Sequence, residues 1–377
     1  MARLTKKKYR TTKLVLIVAA IVTLLIFVAT FKSVKTVYVA ATDAVNEITE
    51  KIADKKEQQP ILNVEEYLKR IEDLANNAVP VIETASTTST STRQAMIKEI
   101  EDSYLYPVDE APLPLAGAIL PFKRVIAYYG NLYSTRMGAL GEYSEDVMIG
   151  MLKDEARKWE AADPSTPVQI ALHYIASTAQ GSPGDEGFYT LRMPDSEIDK
   201  VIKMAEKAGA IVFLDLQIGL SDLEREIPYL DKYLKMPQVH LGLDPEFAMK
   251  GGQAPGKVIG TMDADDINFA AEHLAKIVRD NNLPPKILVV HRFTSKMLTN
   301  YQNIQPLPEV QIVIHMDGWG PKAQKINTYD VIVAPEPVQF TGFKIFYKND
   351  LKGDYGGLMT PDDLLELSPR PIYIQYQ

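Results

Sequence analysis

From Phe122 to the C-terminus, short apolar runs alternate with amphipathic stretches, and that alternation restricts the chain to parallel βα units. Eight runs read as strands: Arg124–Gly130, Val168–Tyr174, Ala210–Gln217, Val239–Glu246, Lys286–His291, Val310–Asp317, Asp330–Glu336 and Pro371–Tyr376. Between them, helical spacing recurs over Glu145–Ala162, Asp195–Ala208, Asp222–Leu234, Asp265–Asp280 and Pro361–Glu366, and more weakly over 294–306 and 321–329. Ser144, Ser221 and Asp263 stand where helix N-caps are wanted. Residues 122–377 match the about 250 residues that a (β/α)8 barrel needs. A doubly wound open sheet is the alternative, but it wants a glycine-rich phosphate turn after its first strand. Tyr129-Gly130-Asn131-Leu132-Tyr133 is not such a turn, and the absence of GxGxxG and GxxxxGK[ST] patterns argues against a nucleotide partner.

The N-terminal third is different. Leu14 to Phe31 is an uncharged apolar run of 18 residues, just within the roughly 17–25 that span a bilayer. Arg3, Lys6, Lys7, Lys8, Arg10 and Lys13 precede it, forming a basic tail over residues 1–13. The positive-inside rule then places the N-terminus in the cytoplasm and the barrel outside, as a single-pass cell-membrane protein. The expectation is an uncleaved signal anchor over 14–31; the alternative is a signal peptide cleaved near Val39-Ala40-Ala41. Residues 41–82 carry thin apolar stripes (Val45, Ile48, Ile52; Val64, Leu68, Ile71, Leu74) and read as a helical stalk. Residues 83–121 begin with a Ser/Thr tract and end proline-rich, which reads as a linker. The net charge is −8 although the tail is basic, so the remainder is strongly acidic, which argues against nucleic acid. There is no cysteine, which removes disulfides and thiolate metal sites.

Functional residues in such a barrel gather at strand C-termini. Polar side chains fall there on nearly every run: Tyr129, His173 with Tyr174, Asp215 with Gln217, Asp244 with Glu246, His291, His315 with Asp317, Glu336, and Gln375 with Tyr376. Strand middles stay apolar. In the fourth run, Asp244 and Glu246 are two apart and share a face if the strand continues through them. Two carboxyls at one strand end, with no Lys or Arg beside them in sequence, pay for desolvation and mutual repulsion unless they have a task. Glycosidic hydrolysis supplies one, since it needs a carboxylic acid with a raised pKa and a second, stabilising carboxylate. Glu246 is the longer side chain and the natural acid. Asp244 would tune it, and Asp215, Asp317 and Glu336 compete for the second role. His173, Tyr174, Gln217, His291, His315, Trp319, Gln375, Tyr376 and Tyr129 would bind substrate, with aromatic faces packing on sugar C–H faces.

The strand end Leu243-Asp244-Pro245-Glu246 resembles the Asp-x-Glu ends of chitinase-like and lysozyme-like barrel glycosidases, in which the Glu is the acid. Glu246 with Glu336 also resembles the barrel clan that carries its acid/base on strand four and its nucleophile on strand seven. Positions 238 and 241 are Gln and Leu where the chitinase pattern has Asp, and Pro245 stands where the clan has Asn. Met137-Gly138-Ala139-Leu140-Gly141-Glu142 and Leu243-Asp244-Pro245-Glu246-Phe247 make residues 122–377 similar to a set of uncharacterised membrane-attached bacterial barrel proteins. The glycosidase resemblances imply acid/base cleavage of a glycan, the last resemblance implies the fold and a membrane-attached location but no activity, and no cofactor is expected. The main rival is a metal-dependent hydrolase, with His173, His291 and His315 joined by Asp215, Asp244 or Asp317 around a divalent ion. His-x-His is missing from the first run, where Ala127-Tyr128-Tyr129 stands. A third reading is a non-catalytic glycan-binding or scaffold barrel.

Overall fold

The computed structural model describes residues 61–76, 111–353 and 356–377. The chain divides into two units, 1–59 and 60–377, and the description concerns the second. The basic tail, the apolar run 14–31, most of the stretch read as a stalk and residues 83–110 of the linker lie outside the described residues. Among the described residues, no helix is long and apolar enough to cross a membrane. The placement as a single-pass membrane protein with an outward-facing barrel is corrected on that finding.

Eight parallel strands close into a barrel. They are β1 (Arg124–Gly130), β2 (Val168–Ala179), β3 (Ile211–Leu216), β4 (Val239–Leu243), β5 (Lys286–Arg292), β6 (Val310–Met316), β7 (Phe340–Ile345) and β8 (Tyr373–Tyr376). Each pairs with its neighbour in sequence, and β1 pairs with both β2 and β8, which closes the ring. Alternate residues therefore face the barrel axis. Val125, Ala127, Phe213, Val289, Val313 and Tyr373 belong to an interior cluster, whereas Ile126, Tyr128, Leu172, Leu241 and Ile314 pack outward under the helices.

Four helices show how the barrel is clad and closed: α1 (Val64–Ala75), α2 (Glu145–Ala162), α3 (Asp195–Ala208) and α4 (Ala264–Asn281). The start of α4 is fixed by a capping box between Asp263 and Asp266. Ile267, Ala270, Ala271, Leu274 and Val278 of α4 form its buried stripe, each large aliphatic contributing roughly 1.5–3 kcal/mol. Helix α3 stops at Gly209, whose φ of 72° is open to glycine at little cost.

Helix α1 belongs to the barrel. Its Tyr67, Leu74 and Ala75 join the interior cluster at the N-terminal end of the strands, with the Tyr67 ring 6.1 Å from that of Phe122. The Arg370 amide donates to the Leu74 carbonyl at 2.6 Å, and the Ser368 hydroxyl donates to that of Ala75 at 2.8 Å. This part of the stretch read as a stalk closes the bottom of the barrel.

Three local readings are corrected. The run Asp330–Glu336 is no strand: helix Lys322–Thr328 continues into a wider turn over Tyr329–Val333, which buries Tyr329 and Val333 one helical turn apart. The seventh strand is Phe340–Ile345. Its alternation is hidden because Gly342 and Lys344 occupy the interior face, where an apolar residue is anticipated. The stretch 294–306 forms two single 3₁₀ turns around the short strand Leu298–Thr299, which pairs with Met262–Asp263. Strand β4 ends at Leu243, and Pro245–Phe247 is a 3₁₀ turn, because Pro245 has no N–H with which to continue the ladder. Asp244 and Glu246 therefore do not share a strand face.

Candidate active site

The C-terminal mouth of the barrel opens into a cleft of about 760 Å³. Tyr129, Gln217, Asp244, Asp317 and Lys344 form its floor, and Glu246, Phe247, Phe293, Trp319 and Phe346 are among its walls. The alternation that makes the lower barrel apolar brings polar residues inward at the top. Tyr129 comes from β1, His173 from β2, Asp215 from β3, His291 from β5, His315 from β6, Lys344 from β7 and Gln375 from β8, while Gln217, Asp244 and Asp317 follow the ends of β3, β4 and β6.

These side chains form one connected network. Tyr129 Oη donates to Asp215 Oδ2 at 2.9 Å, and Gln217 Nε2 donates to Asp244 Oδ2 at 3.1 Å. His291 Nδ1 lies 2.9 Å from Asp317 Oδ2 and 3.2 Å from His315 Nδ1. Lys344 Nζ is 2.9 Å from Asp317 Oδ1 and sits 3.9 Å above the Tyr129 ring. Beneath them, His173 Nδ1 meets Tyr373 Oη at 2.6 Å and Gln375 Nε2 at 3.1 Å. His173, Asp215 and His291 bring one donor atom each within 4.8 Å of one another, which makes this trio able to hold a metal ion. His315 meets the trio only through His291.

Electrostatics separates the acids. Burial raises the Asp244 carboxyl well above its ordinary range, and the carboxylates of Asp215 and Asp317 add to this, so it is held protonated. Burial alone would raise Asp317 too, but the Lys344 ammonium and the His291 imidazolium outweigh it and hold Asp317 ionised. Asp215 is likewise held ionised against burial by His291 and His173. Glu246 is partly buried, and its carboxyl is raised first by burial and then by the charge of Asp317. Burial lowers His173 to about 4, whereas Asp215 and Asp317 lift His291 to about 10 against the effect of its burial. Asp215 and Asp317 thus face two cations as carboxylates, with the protonated Asp244 and the upward-shifted Glu246 beside them.

Not every residue anticipated at the mouth is there. Tyr174 and Tyr376 adjoin His173 and Gln375 in sequence and so face the opposite way, into the helical layer, where Tyr376 Oη accepts from Trp159 Nε1 at 3.0 Å. Glu336 sits past a helix end, forms an ion pair with Arg292 and is not part of the cleft lining. Asp215 lies fully buried beneath the floor. Trp319 stands on the wall, 55% exposed. Lys344 escapes the sequence reading because that reading misplaces the seventh strand; the alternation Phe340, Gly342, Lys344 against Thr341, Phe343, Ile345 is the signal that could find it.

Fold and site together define a parallel (β/α)8 barrel with a carboxyl-bearing mouth. No family model and no curated protein matches the sequence. Solved structures similar to it include a mannanase of Bacillus subtilis, at 13% identity and a TM-score of 0.36, covering 68% of this chain and 79% of that one. A broad-specificity endoglucanase of Clostridium acetobutylicum is similar at 12% identity and a TM-score of 0.37, covering 68% and 87%. The HPPK-DHPS of Plasmodium falciparum, solved with pteroate, is similar at 10% identity and a TM-score of 0.33, covering 78% and 53%. These likenesses concern the barrel and say nothing about chemistry.

Proposed function

We propose that this chain is a glycoside hydrolase acting on a cell-surface or environmental glycan, with Glu246 as the general acid and Asp317 as the partner carboxylate. The observation that supports this most is the pair of acids on one cleft shifted in opposite directions: Glu246 raised and partly open, Asp317 held ionised on the floor. Divergent acids in one cleft are what acid-assisted cleavage of an acetal requires. Glu246 would protonate the glycosidic oxygen as its bond to the anomeric carbon breaks. Asp317 would stabilise the positive charge that develops at that carbon, and water would then add there, its second proton restoring Glu246. Asp244, deeper and protonated, holds its place through Gln217 and keeps a further negative charge out of the floor. Phe247, Phe293 and Trp319 offer faces for sugar rings, and the open mouth suits part of a polymer.

The test is hydrolysis of a panel of cell-wall, capsular and plant polysaccharides by the wild-type chain, by Glu246→Gln and by Asp317→Asn. Release of reducing sugar by the wild type, lost in both variants with the fold retained, supports the assignment. A glycan cleaved equally well by Glu246→Gln would remove it.

A further inference from the structure

We propose that His173, Asp215 and His291 form a binding site for one divalent cation, zinc foremost, beneath the floor of the cleft. The donor atoms that face one another are His173 Nε2, Asp215 Oδ1 and His291 Nε2. Asp215 Oδ1 lies 3.2 Å from the first nitrogen and 3.5 Å from the second. Two zinc bonds of about 2.0–2.1 Å at a tetrahedral angle place their donor atoms about 3.3–3.4 Å apart, so both separations match edges of one coordination shell.

A second observation points the same way. All three side chains are fully buried, and each of these three atoms lacks a hydrogen-bond partner. Buried polar atoms are ordinarily satisfied, and one ion at this point would satisfy all three at once, displacing the proton that otherwise pairs His291 with Asp215, since a ligating imidazole is neutral. The outer atom of each side chain, by contrast, is held. Asp215 Oδ2 accepts from Tyr129 Oη at 2.9 Å, His291 Nδ1 meets Asp317 Oδ2 at 2.9 Å, and His173 Nδ1 meets Tyr373 Oη at 2.6 Å. Buried partners that orient the outer atoms of ligands are the usual support of a metal site. Strand β4 contributes by subtraction: a Cβ on Gly242 would lie 2.4 Å from both Asp215 Oδ1 and His173 Nε2. Two imidazoles and one carboxylate suit zinc and its borderline neighbours better than calcium or magnesium, which prefer oxygen.

None of the three lines the cleft, so the ion would act on the floor from below. Tyr129 and Asp317 touch both the trio and the cleft, and the ion would fix their positions through Asp215 and His291. The site does not depend on the glycosidase reading.

The experiment uses the untagged full chain. Metal content is measured as purified, after chelation and after dialysis against zinc, and cobalt is then added to the chelated protein. One zinc per chain, visible bands of tetrahedral cobalt that zinc abolishes, and a melting temperature lowered by chelation and restored by zinc are the results expected. Asp215→Asn, His291→Gln and Gly242→Ala should each lose the ion, while Glu246→Gln keeps it whatever happens to hydrolysis. Wild-type protein that takes up neither zinc nor cobalt, with a melting temperature indifferent to chelation, would overturn the proposal without reference to any variant. Retention of a full equivalent by folded Asp215→Asn or His291→Gln would overturn it equally.

Discussion

Lys344 Nζ and Asp317 Oδ1 lie 2.9 Å apart at the floor of the cleft, with both side chains buried. The pair joins β7 to the end of β6 and keeps Asp317 ionised. Removing one member leaves the other charge without its neighbour, which typically costs about 3–5 kcal/mol. Lys344→Met should therefore unfold at clearly lower denaturant than the wild type. Lys344→Met/Asp317→Asn should recover much of the loss. Equilibrium denaturation of the two variants and of Asp317→Asn alone measures the coupling, and additive losses would mean that the pair contributes nothing.

Glu246 and Glu336 separate two readings of the sequence. Loss of a general acid typically reduces turnover by about 10²–10⁴-fold. Glu246→Gln should fall in that range on any glycan the wild type cleaves. Glu336→Gln touches only the ion pair with Arg292 and should keep turnover within a few-fold of wild type. Initial rates at saturating substrate decide between them.

The pH profile of hydrolysis follows from the same acids. Glu246 acts protonated and its carboxyl is raised, so activity falls as pH rises through a value above that of an ordinary glutamate. Asp317 acts ionised and is held low, so the acid limb lies below the ordinary carboxylate range. The optimum should sit between these limbs. A profile in which activity still climbs through neutral pH would contradict Glu246 as the acid.

Lys286 gives a stability signature. Burial lowers its ammonium from 10.5 to about 7, where Nζ donates to the carbonyls of Met236 at 2.5 Å and Val239 at 2.9 Å. Between those two pH values the unfolded chain holds a proton that the folded chain has released. This group's contribution therefore rises by about 1.4 kcal/mol per pH unit across that window and is flat above it. Lys286→Met should remove that component of the slope. Unfolding free energies measured from pH 7 to 10 for both proteins provide the check.

Helix α1 closes the barrel bottom, and Leu74 is buried there. Leu74→Ala should cost about 2–5 kcal/mol. Leu68 on the same helix is 51% exposed, and Leu68→Ala should be close to neutral. Thermal melts of the two variants distinguish a seal from a mere spacer, since a spacer would tolerate both.

Five of the barrel strands begin and end within two residues of where hydrophobic patterning places them, because a strand buried on both faces reads as a continuous apolar run; β2 runs on to Ala179 and β4 stops early at Leu243. Patterning fails where burial and polarity part. Val331–Val333 is apolar and helical, and Thr341–Lys344 carries polar residues in a strand. The candidate acids Asp244, Asp317 and Glu246 are legible as polar residues at run ends. Lys344, which sets the charge of one of them, is not.

The amino-acid order by itself determined the parallel alternation and, wherever it placed a strand, which of that strand's residues share a face, since side-chain parity is local; the seventh strand and the residues past Leu243 lay beyond it. It also placed Asp244 and Glu246 at the end of β4. Only closure of the barrel decided which of those groups meet: Asp215 with two histidines, Asp317 with Lys344, α1 with the strand ends. Each of those contacts joins residues far apart in the chain. Their protonation is decided by burial and by neighbours that local sequence does not contain.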